Sequence, residues 1–342
     1  MTLSIEQFAG APAEWDRQVR SSAGWTHFHQ YGWRRVMEGA MGHECVYLAA
    51  RAQDGAIAGV LPLVRVKSRL FGHYLVSMPF LNYGGPLGTT EAVRALGTAA
   101  TGQAEADRVK LMELRSRVAL PLALAVSHRK ITVLSDVGPG GPDPLWKALP
   151  AKVRSQVRRP QKEGVTVRFG LDQLDAFYAV FARHMRDLGT PVLGRGFFAA
   201  IADAFPEDTW VGCAWLGSTP IAAGWGFRWG DELEMTWASA LKAYNPIAPN
   251  MVLYWGFLER CAQQGVRLFN FGRCTPGSGT HRFKQQWGGR DETLWWYQYP
   301  AGAAAATPSP HDPRYSWGPR LWRRLPLALA TALGPHVVRF VP

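Results

Sequence analysis

The 342-residue sequence predicts an α/β protein in which one arrangement occurs twice, with mixed, mostly antiparallel sheets flanked by helices. Three observations carry that expectation. Residues 45–80 and 210–240 each read as a three-stranded meander, and each meander leads to a helix and one further strand. The two copies also share a string at the start of the second strand, Ala56-Ile57-Ala58-Gly59 and Pro220-Ile221-Ala222-Ala223-Gly224, at a nearly constant offset.

In the first copy, alternation and turn residues place strands at 45–51, 57–66 and 73–80, with Gln53-Asp54-Gly55 as the first turn. A helix and a strand at 109–115 follow. The densest Gly/Pro cluster before residue 300, at 136–142, predicts a boundary, so the domains are expected at 1–143 and 144–300. Pro150 suits the first turn of a basic helix, and Pro160 should end or kink it. An amphipathic helix from Leu171 to about Gly189 buries Leu174, Phe177, Val180 and Phe181. The second copy then has strands at 210–216, 220–229 and 232–240, a helix starting at Pro249 and a strand at 266–273. A linker rich in Ala, Pro and Ser is expected at 301–316. In 317–342, Trp317, Arg320, Trp322, Arg323 and Arg324 flank an apolar stretch at 327–333. That stretch is far short of the roughly 20 residues that span a bilayer, so it is expected to pack on the first domain or lie at a membrane surface.

Composition narrows the class. Hydrophobic residues make up 47% of the chain, with 15 Trp, which supplies a core; 36 Gly and 24 Pro exclude a coiled coil. The four cysteines, Cys45, Cys213, Cys261 and Cys274, contain no C-x-x-C pair, so neither a disulfide framework nor a metal site is indicated. The first residues lack a basic start and an apolar core, so no signal peptide is expected and the cytoplasm is the expected compartment. A net charge of +12 implies either attraction to phosphates, nucleic acid or anionic lipid, or a plain cationic solubility bias.

The run Phe269-Asn270-Phe271-Gly272-Arg273, and after a bend Gly279-Thr280-His281-Arg282-Phe283-Lys284, carries most of the chemistry. Glycines let backbone amides approach an anion or carbonyl, and a lysine beside them supplies a charge for phosphate or an oxyanion. Lys284 is therefore the first catalytic candidate, with Arg273, Gly279 and Thr280 as binding candidates. Lys152, Arg154 and Arg158 form a cationic stripe that either contacts phosphate or faces solvent. Asp187 is either a general base or the partner of Arg183 or Arg186. Tyr83, Gly84 and Gly85 either let a ligand approach the backbone or make a tight turn. Asn250 is either an N-cap or a pocket residue together with Tyr254. His27 and His29, alternating on an expected strand without carboxylate or thiol company, read as structural. A G-x-S-x-G elbow, a Walker loop, H-E-x-x-H and G-x-G-x-x-G are all absent, and the acyl-coenzyme A signature is met only in part, by Gln285 and Gly288.

Four segments, 78–86, 152–159, 185–192 and the run through Lys284, resemble the FemAB family of peptidyl and acyl transferases, in the branch associated with the exosortase/PEP-CTERM system. The resemblance runs from about residue 15 to 326. It implies two tandem GNAT-like domains and transfer of an acyl or aminoacyl group to an amine of a cell-envelope or exopolysaccharide precursor. It further implies acyl-coenzyme A or aminoacyl-tRNA as co-substrate, no permanently bound cofactor, and Lys284 as the group that stabilises acyl or phosphate negative charge. On that basis Lys284→Ala should abolish transfer without unfolding the chain. The implied partners are a small-molecule or lipid-linked saccharide acceptor and tRNA. From its own residues, and not from the resemblance, the segment 317–342 is expected either to pack on the first domain or to make a peripheral contact at the inner membrane face. Pro160 stands where the family pattern suggests alanine. Two other classes compete: a nucleic-acid-binding module, whose binding would weaken steeply with salt, and a non-catalytic scaffold of the same fold.

Overall fold

The computed structural model describes residues 3–68, 71–302 and 317–341. The expected linker at 301–316 lies, from residue 303 onward, outside the described residues. The chain divides into two units. One runs to Arg129 and takes up the chain again from Thr293; the other runs Lys130–Glu292 and includes the C-terminal segment as far as His336.

In the first unit, β1 (Ser4–Gln7), α1 (Pro12–Ser21) and α2 (Gly32–Gly39) precede a meander of β2 (Glu44–Arg51), β3 (Ile57–Ser68) and β4 (Gly72–Val76). The short β5 (Leu87–Gly88) and α3 (Thr90–Ala106) lead to β6 (Leu111–Ser116) and β7 (Ala125–Ser127). A late strand, β15 (Trp295–Tyr299), completes the sheet in the order β1-β2-β3-β4-β6-β15-β7, with β5 on β3. Among the described residues of this sheet, only β4 and β6 pair in parallel, because α3 carries the chain back over the sheet between them. Leu61, Leu63, Leu75, Met112 and Leu114 form the core with Leu96 and Ala100 of α3.

The second unit starts with β8 (Ile131–Asp136), α4 (Pro142–Ala148), α5 (Ala151–Lys162), β9 (Val165–Phe169), α6 (Leu174–Leu188) and α7 (Arg195–Ala204). Its meander is β10 (Thr209–Leu216), β11 (Thr219–Trp229) and β12 (Glu232–Ala240). Then come α8 (Pro249–Gln263), β13 (Leu268–Cys274), α9 (Gly279–Gln285) and β14 (Arg290–Thr293). The sheet order is β14-β8-β13-β12-β11-β10-β9, and β12 and β13 are parallel. Leu253, Phe257 and Leu258 of α8 pack with Val153 and Val157 of α5 over Ile221, Met235 and Phe269. The C-terminal segment forms α10 (Trp317–Trp322) and α11 (Leu327–Val338).

Meander, crossover helix and parallel strand therefore occur in both units, as β2-β3-β4-α3-β6 and β10-β11-β12-α8-β13. The strand that flanks the crossover strand comes from elsewhere in the chain. β8 follows β7 in sequence but pairs with β13, and β15 follows β14 but pairs with β6. The chain thus changes sheets near 129 and near 293, ahead of the Gly/Pro cluster at 136–142 and before residue 300.

Three expectations about local structure change. The strand expected at 73–80 stops at Val76, and Met78 and Phe80 then take left-handed φ values of 56° and 69°. His27–His29 is one 3-10 turn instead of a strand. His29 is buried there, with Nδ1 accepting from the Thr26 amide at 3.0 Å and Nε2 donating to the Gly85 carbonyl at 3.0 Å; burial pushes its pKa down to about 4. Finally, residues 317–336 pack on the second unit, whereas the first domain was one of the two places expected. The end of α6 leaves a carbonyl without a helical partner, and Arg323 Nη2 donates to it at Leu188 O, 3.2 Å away. Arg186 Nη1 donates back to Leu325 O at 3.3 Å.

Candidate active site

The cleft in the second unit follows from how two strands separate. β12 and β13 are in register over only three pairs, Glu232↔Leu268 to Glu234↔Asn270, and β12 then continues without β13 to Ala240. Asn270, fully buried, sits where they part. Its Nδ2 donates to Glu232 Oε1 at 2.8 Å and Glu234 Oε2 at 3.2 Å, and its Oδ1 accepts from the Gly272 amide at 2.8 Å and the Thr132 hydroxyl at 2.5 Å. The pairing of β13 with β8 shifts register just beyond, between Asn270 and Arg273.

Lys284, on α9, holds the same bend from the other side. It is 4% exposed, and its Nζ donates to Gly272 O at 2.5 Å and Arg273 O at 3.0 Å. Burial pushes its pKa down to about 8, with the charge of Glu234 among the effects opposing the shift. His281, one turn earlier on α9, accepts the Gly277 amide at Nδ1 (2.9 Å) and donates from Nε2 to Asp291 (2.9 Å), which fixes the turn into that helix.

The resulting cleft has a volume of about 550 Å³. α6 contributes His184, Asp187 and Leu188, and the free end of β12 contributes Ala238, Ser239 and Ala240. Lys242 and Asn245 come from the following turn, Asn250, Leu253 and Tyr254 from α8, and Gly279, Thr280 and Phe283 from α9.

Two side chains in the cleft have distinctive protonation. His184 Nδ1 lies 3.1 Å from the Ala240 carbonyl oxygen, which can only accept, so the proton sits on Nδ1 and Nε2 keeps its lone pair. Burial holds His184 below the ordinary imidazole value of 6.5, while the bond to Ala240 and the charge of Asp187 pull it up. Tyr254 lies in a ring cluster, 5.7 Å from Phe271, 5.0 Å from Phe283 and 6.1 Å from Trp287. Burial pushes its pKa up, which keeps the phenol protonated as a donor.

Five of the thirteen residues singled out from the sequence meet in this cleft: Asp187, Asn250, Tyr254, Gly279 and Thr280. Asp187 is also in an ion pair with Arg186, Oδ1 to Nε 2.8 Å. Asn250 is not the N-cap; Ala248 holds that place with a left-handed φ of 54°, and Asn250 lies in the first turn. Lys284 and Arg273 brace the bend of β13 and do not line the cleft. On α5, Arg154 Nη1 donates to the carbonyls of Lys147 (2.8 Å) and Leu149 (3.1 Å), Arg158 lies over the Trp146 ring at 5.3 Å, and Lys152 is exposed. Tyr83, Gly84 and Gly85 belong to the first unit. The amides of Gly84 and Gly85 both donate to Arg115 O, at 3.1 and 2.7 Å, so they are not open to a ligand. A Cβ at Gly85 would lie 2.9 Å from that same oxygen, which is why the turn carries glycine.

His184 is the functional candidate that reading the sequence missed. Its signal was present in His184-Met185-Arg186-Asp187, where spacing of three puts the imidazole and the carboxylate on one helical face. Among the described residues no group of three or more His, Cys, Asp or Glu side chains is placed to hold a metal ion.

Comparison with known proteins agrees with this geometry. Residues 150–285, which contain α5 through α9, match the family model described as an acetyltransferase (GNAT) domain. No curated protein matches the chain by sequence. Among solved structures, FemX superposes with a TM-score of 0.64 at 15% identity, covering 87% of this chain and 97% of its own. L-PGS from Bacillus licheniformis gives 0.56 at 11% identity, over 92% and 98%. A tandem GNAT protein from the clavulanic acid biosynthesis pathway gives 0.55 at 12% identity, over 87% and 98%. Residues 150–285 thus match an acetyltransferase (GNAT) domain, within a chain whose fold is that of the tandem GNAT proteins.

Proposed function

We propose that this chain is a FemAB-like N-acyltransferase that moves an acyl or aminoacyl group onto an amine of a cell-envelope or exopolysaccharide precursor, in the cytoplasm and in the exosortase-associated setting its sequence resembles. The observation that carries the reading is His184: an oriented, neutral imidazole in the cleft of the segment that matches an acetyltransferase domain. The donor is an acyl-coenzyme A thioester or an aminoacyl-tRNA ester. The acceptor ammonium first loses one proton to solvent, and the resulting amine attacks the donor carbonyl. As the new C–N bond forms, His184 Nε2 takes the proton that the nitrogen sheds; the C–S or C–O bond breaks, and that proton passes on to the leaving thiolate or alkoxide. The Tyr254 hydroxyl donates to the oxyanion of the tetrahedral intermediate. Lys242 and Asn245, exposed in the lining of the cleft, face the phosphates of the donor, and the exposed Lys152, Arg159 and Lys162 of α5 offer a separate cationic face to a tRNA backbone. Lys284 acts through the bend of β13 and not on the oxyanion.

The test incubates the full chain with acyl-coenzyme A and aminoacyl-tRNA panels and an amine acceptor, and follows free thiol and deacylated tRNA. Mass spectrometry of the host's exopolysaccharide precursors, with and without the protein, identifies the product. Acceptor-dependent release of one donor, and a missing amide-linked mass in its absence, are expected. Donor that binds without being consumed would instead identify a scaffold.

A further inference from the structure

The helix α11 is docked with its apolar pattern reversed. A helix on a water-soluble surface ordinarily buries its large apolar side chains and exposes small or polar ones. In α11 the buried positions are Ala330 and Gly334, four apart on one face. Gly334 lies so close to the preceding chain that a Cβ there would come within 2.8 Å of the Val192 amide nitrogen. Leu329 and Leu333, also four apart, are 51% and 49% exposed, and Leu321 of α10 is 56% exposed. The small residues make the contact with the protein, and the leucines are left to something else.

The charge of this segment indicates what that is. Residues 317–342 contain four arginines and no Asp or Glu. Arg320, Arg323 and Arg324 are all exposed, beside Leu321. A second copy of this face would set these arginines against one another without a carboxylate to pair them. An anionic bilayer offers acyl chain to the leucines and phosphate to the guanidinium groups. At about 1.5 Å per residue the 12-residue α11 is far shorter than a bilayer core of roughly 30 Å. No described helix is long and apolar enough to cross a membrane, which leaves the interface plane as its place.

We propose that residues 317–336 dock this protein on an anionic phospholipid surface, with Leu321, Leu329 and Leu333 inserted at the headgroup level and Arg320, Arg323 and Arg324 on lipid phosphates. The proposal stands on this face alone and does not need the transferase reading. The hydrogen bond from Arg323 to Leu188 O ties the docking segment to the end of α6 that borders the cleft. A lipid-borne acceptor would therefore be held beside His184 and Asp187.

Vesicle flotation of the full chain tests it without any turnover. Wild-type protein should float with vesicles of equal parts phosphatidylglycerol and phosphatidylcholine, should not float with phosphatidylcholine alone, and should be released as salt rises. Replacing Arg320, Arg323 and Arg324 by Gln should weaken binding on the order of a hundredfold, at about fivefold per arginine. Replacing Leu321, Leu329 and Leu333 by Ser should weaken it roughly tenfold or more. Thermal melting checks that each set folds, and Leu329→Gln alone serves if the triple variant does not. Wild-type protein that stays off anionic vesicles overturns the proposal, as does binding unchanged by both sets. So does a concentration-dependent dimer that the leucine substitutions dissolve, which would assign the face to a second copy.

Discussion

His184 Nδ1 donates to the main-chain carbonyl of Ala240 at 3.1 Å, a bond that joins α6 to the free end of β12. It fixes both the tautomer and the direction of the ring, and it leaves Nε2 as the acceptor in the cleft. His184→Gln should therefore lower kcat/KM by about 10²- to 10⁴-fold, the usual range for a general base, with little change in melting temperature because the side chain is only half-buried. With His184 as the proposed base the neutral form is the active one, so kcat/KM should rise with pH through the His184 pKa. Burial lowers that pKa, so the acid limb should fall below pH 6.5 and be missing from the variant's profile. A variant that keeps the limb would remove His184 from the mechanism.

Asp187 acts on that same limb from a distance. Its charge pulls the His184 pKa up, against burial. Asp187→Asn should move the acid limb to lower pH and reduce the plateau rate modestly, since the imidazole becomes a weaker base. Because Asp187 is partly exposed and already paired with Arg186, added salt should shrink the shift. If Asp187 were itself the base, the Asn variant would lose the limb, and pH–rate profiles of the two variants separate these outcomes.

The sequence makes the helix that borders the cleft legible, but not the side chain proposed here as the base. His184 and Asp187 share a face by spacing alone, whereas the Ala240 carbonyl that orients the imidazole lies 56 residues away and reaches it only through tertiary packing. Lys284 stood out among glycines and aromatics for a similar reason. Its partners, the carbonyls of Gly272 and Arg273, lie across the bend at 275–278, so the sequence displayed a charge without showing that main-chain oxygens already hold it. The meanders were legible because their turns are local and their strands alternate. The exchange of β8 and β15 between the sheets was not, because β8 meets β13 and β15 meets β6 only after the whole chain has folded.

Lys284 should be needed first for stability. Lys284→Met removes two hydrogen bonds to carbonyls and should destabilise the protein by about 2 kcal/mol, with activity falling only as far as the bend of β13 loosens. The sign of the pH effect follows from the lowered pKa. Between about 8 and the unfolded value of 10.5 the unfolded chain holds the extra proton, so wild-type stability rises with pH across that window relative to the Met variant. Urea unfolding of both proteins across the window measures the difference, and other groups cancel. A constant difference would mean that Lys284 is not buried as charge.

Asn270 carries the largest expected stability effect. Its amide group faces Glu232 and Glu234 while its oxygen takes the Gly272 amide and the Thr132 hydroxyl, so one side chain satisfies two strands and a buried carboxylate pair. Asn270→Ala takes a partner from each and should cost about 3–5 kcal/mol, read as a fall in the urea midpoint. Asn270→Asp keeps the shape but turns an acceptor toward two carboxylates. The new carboxyl is buried among like charges, so its folded pKa rises above its unfolded value. The penalty is then full near neutral pH and is relieved as pH falls, because the native state takes up the proton that removes the repulsion. The gap in midpoint between wild type and this variant should narrow from neutral pH to about pH 5. A gap independent of pH would show that the amide does not face ionised carboxylates, and the parting of β12 from β13 would then need another cause.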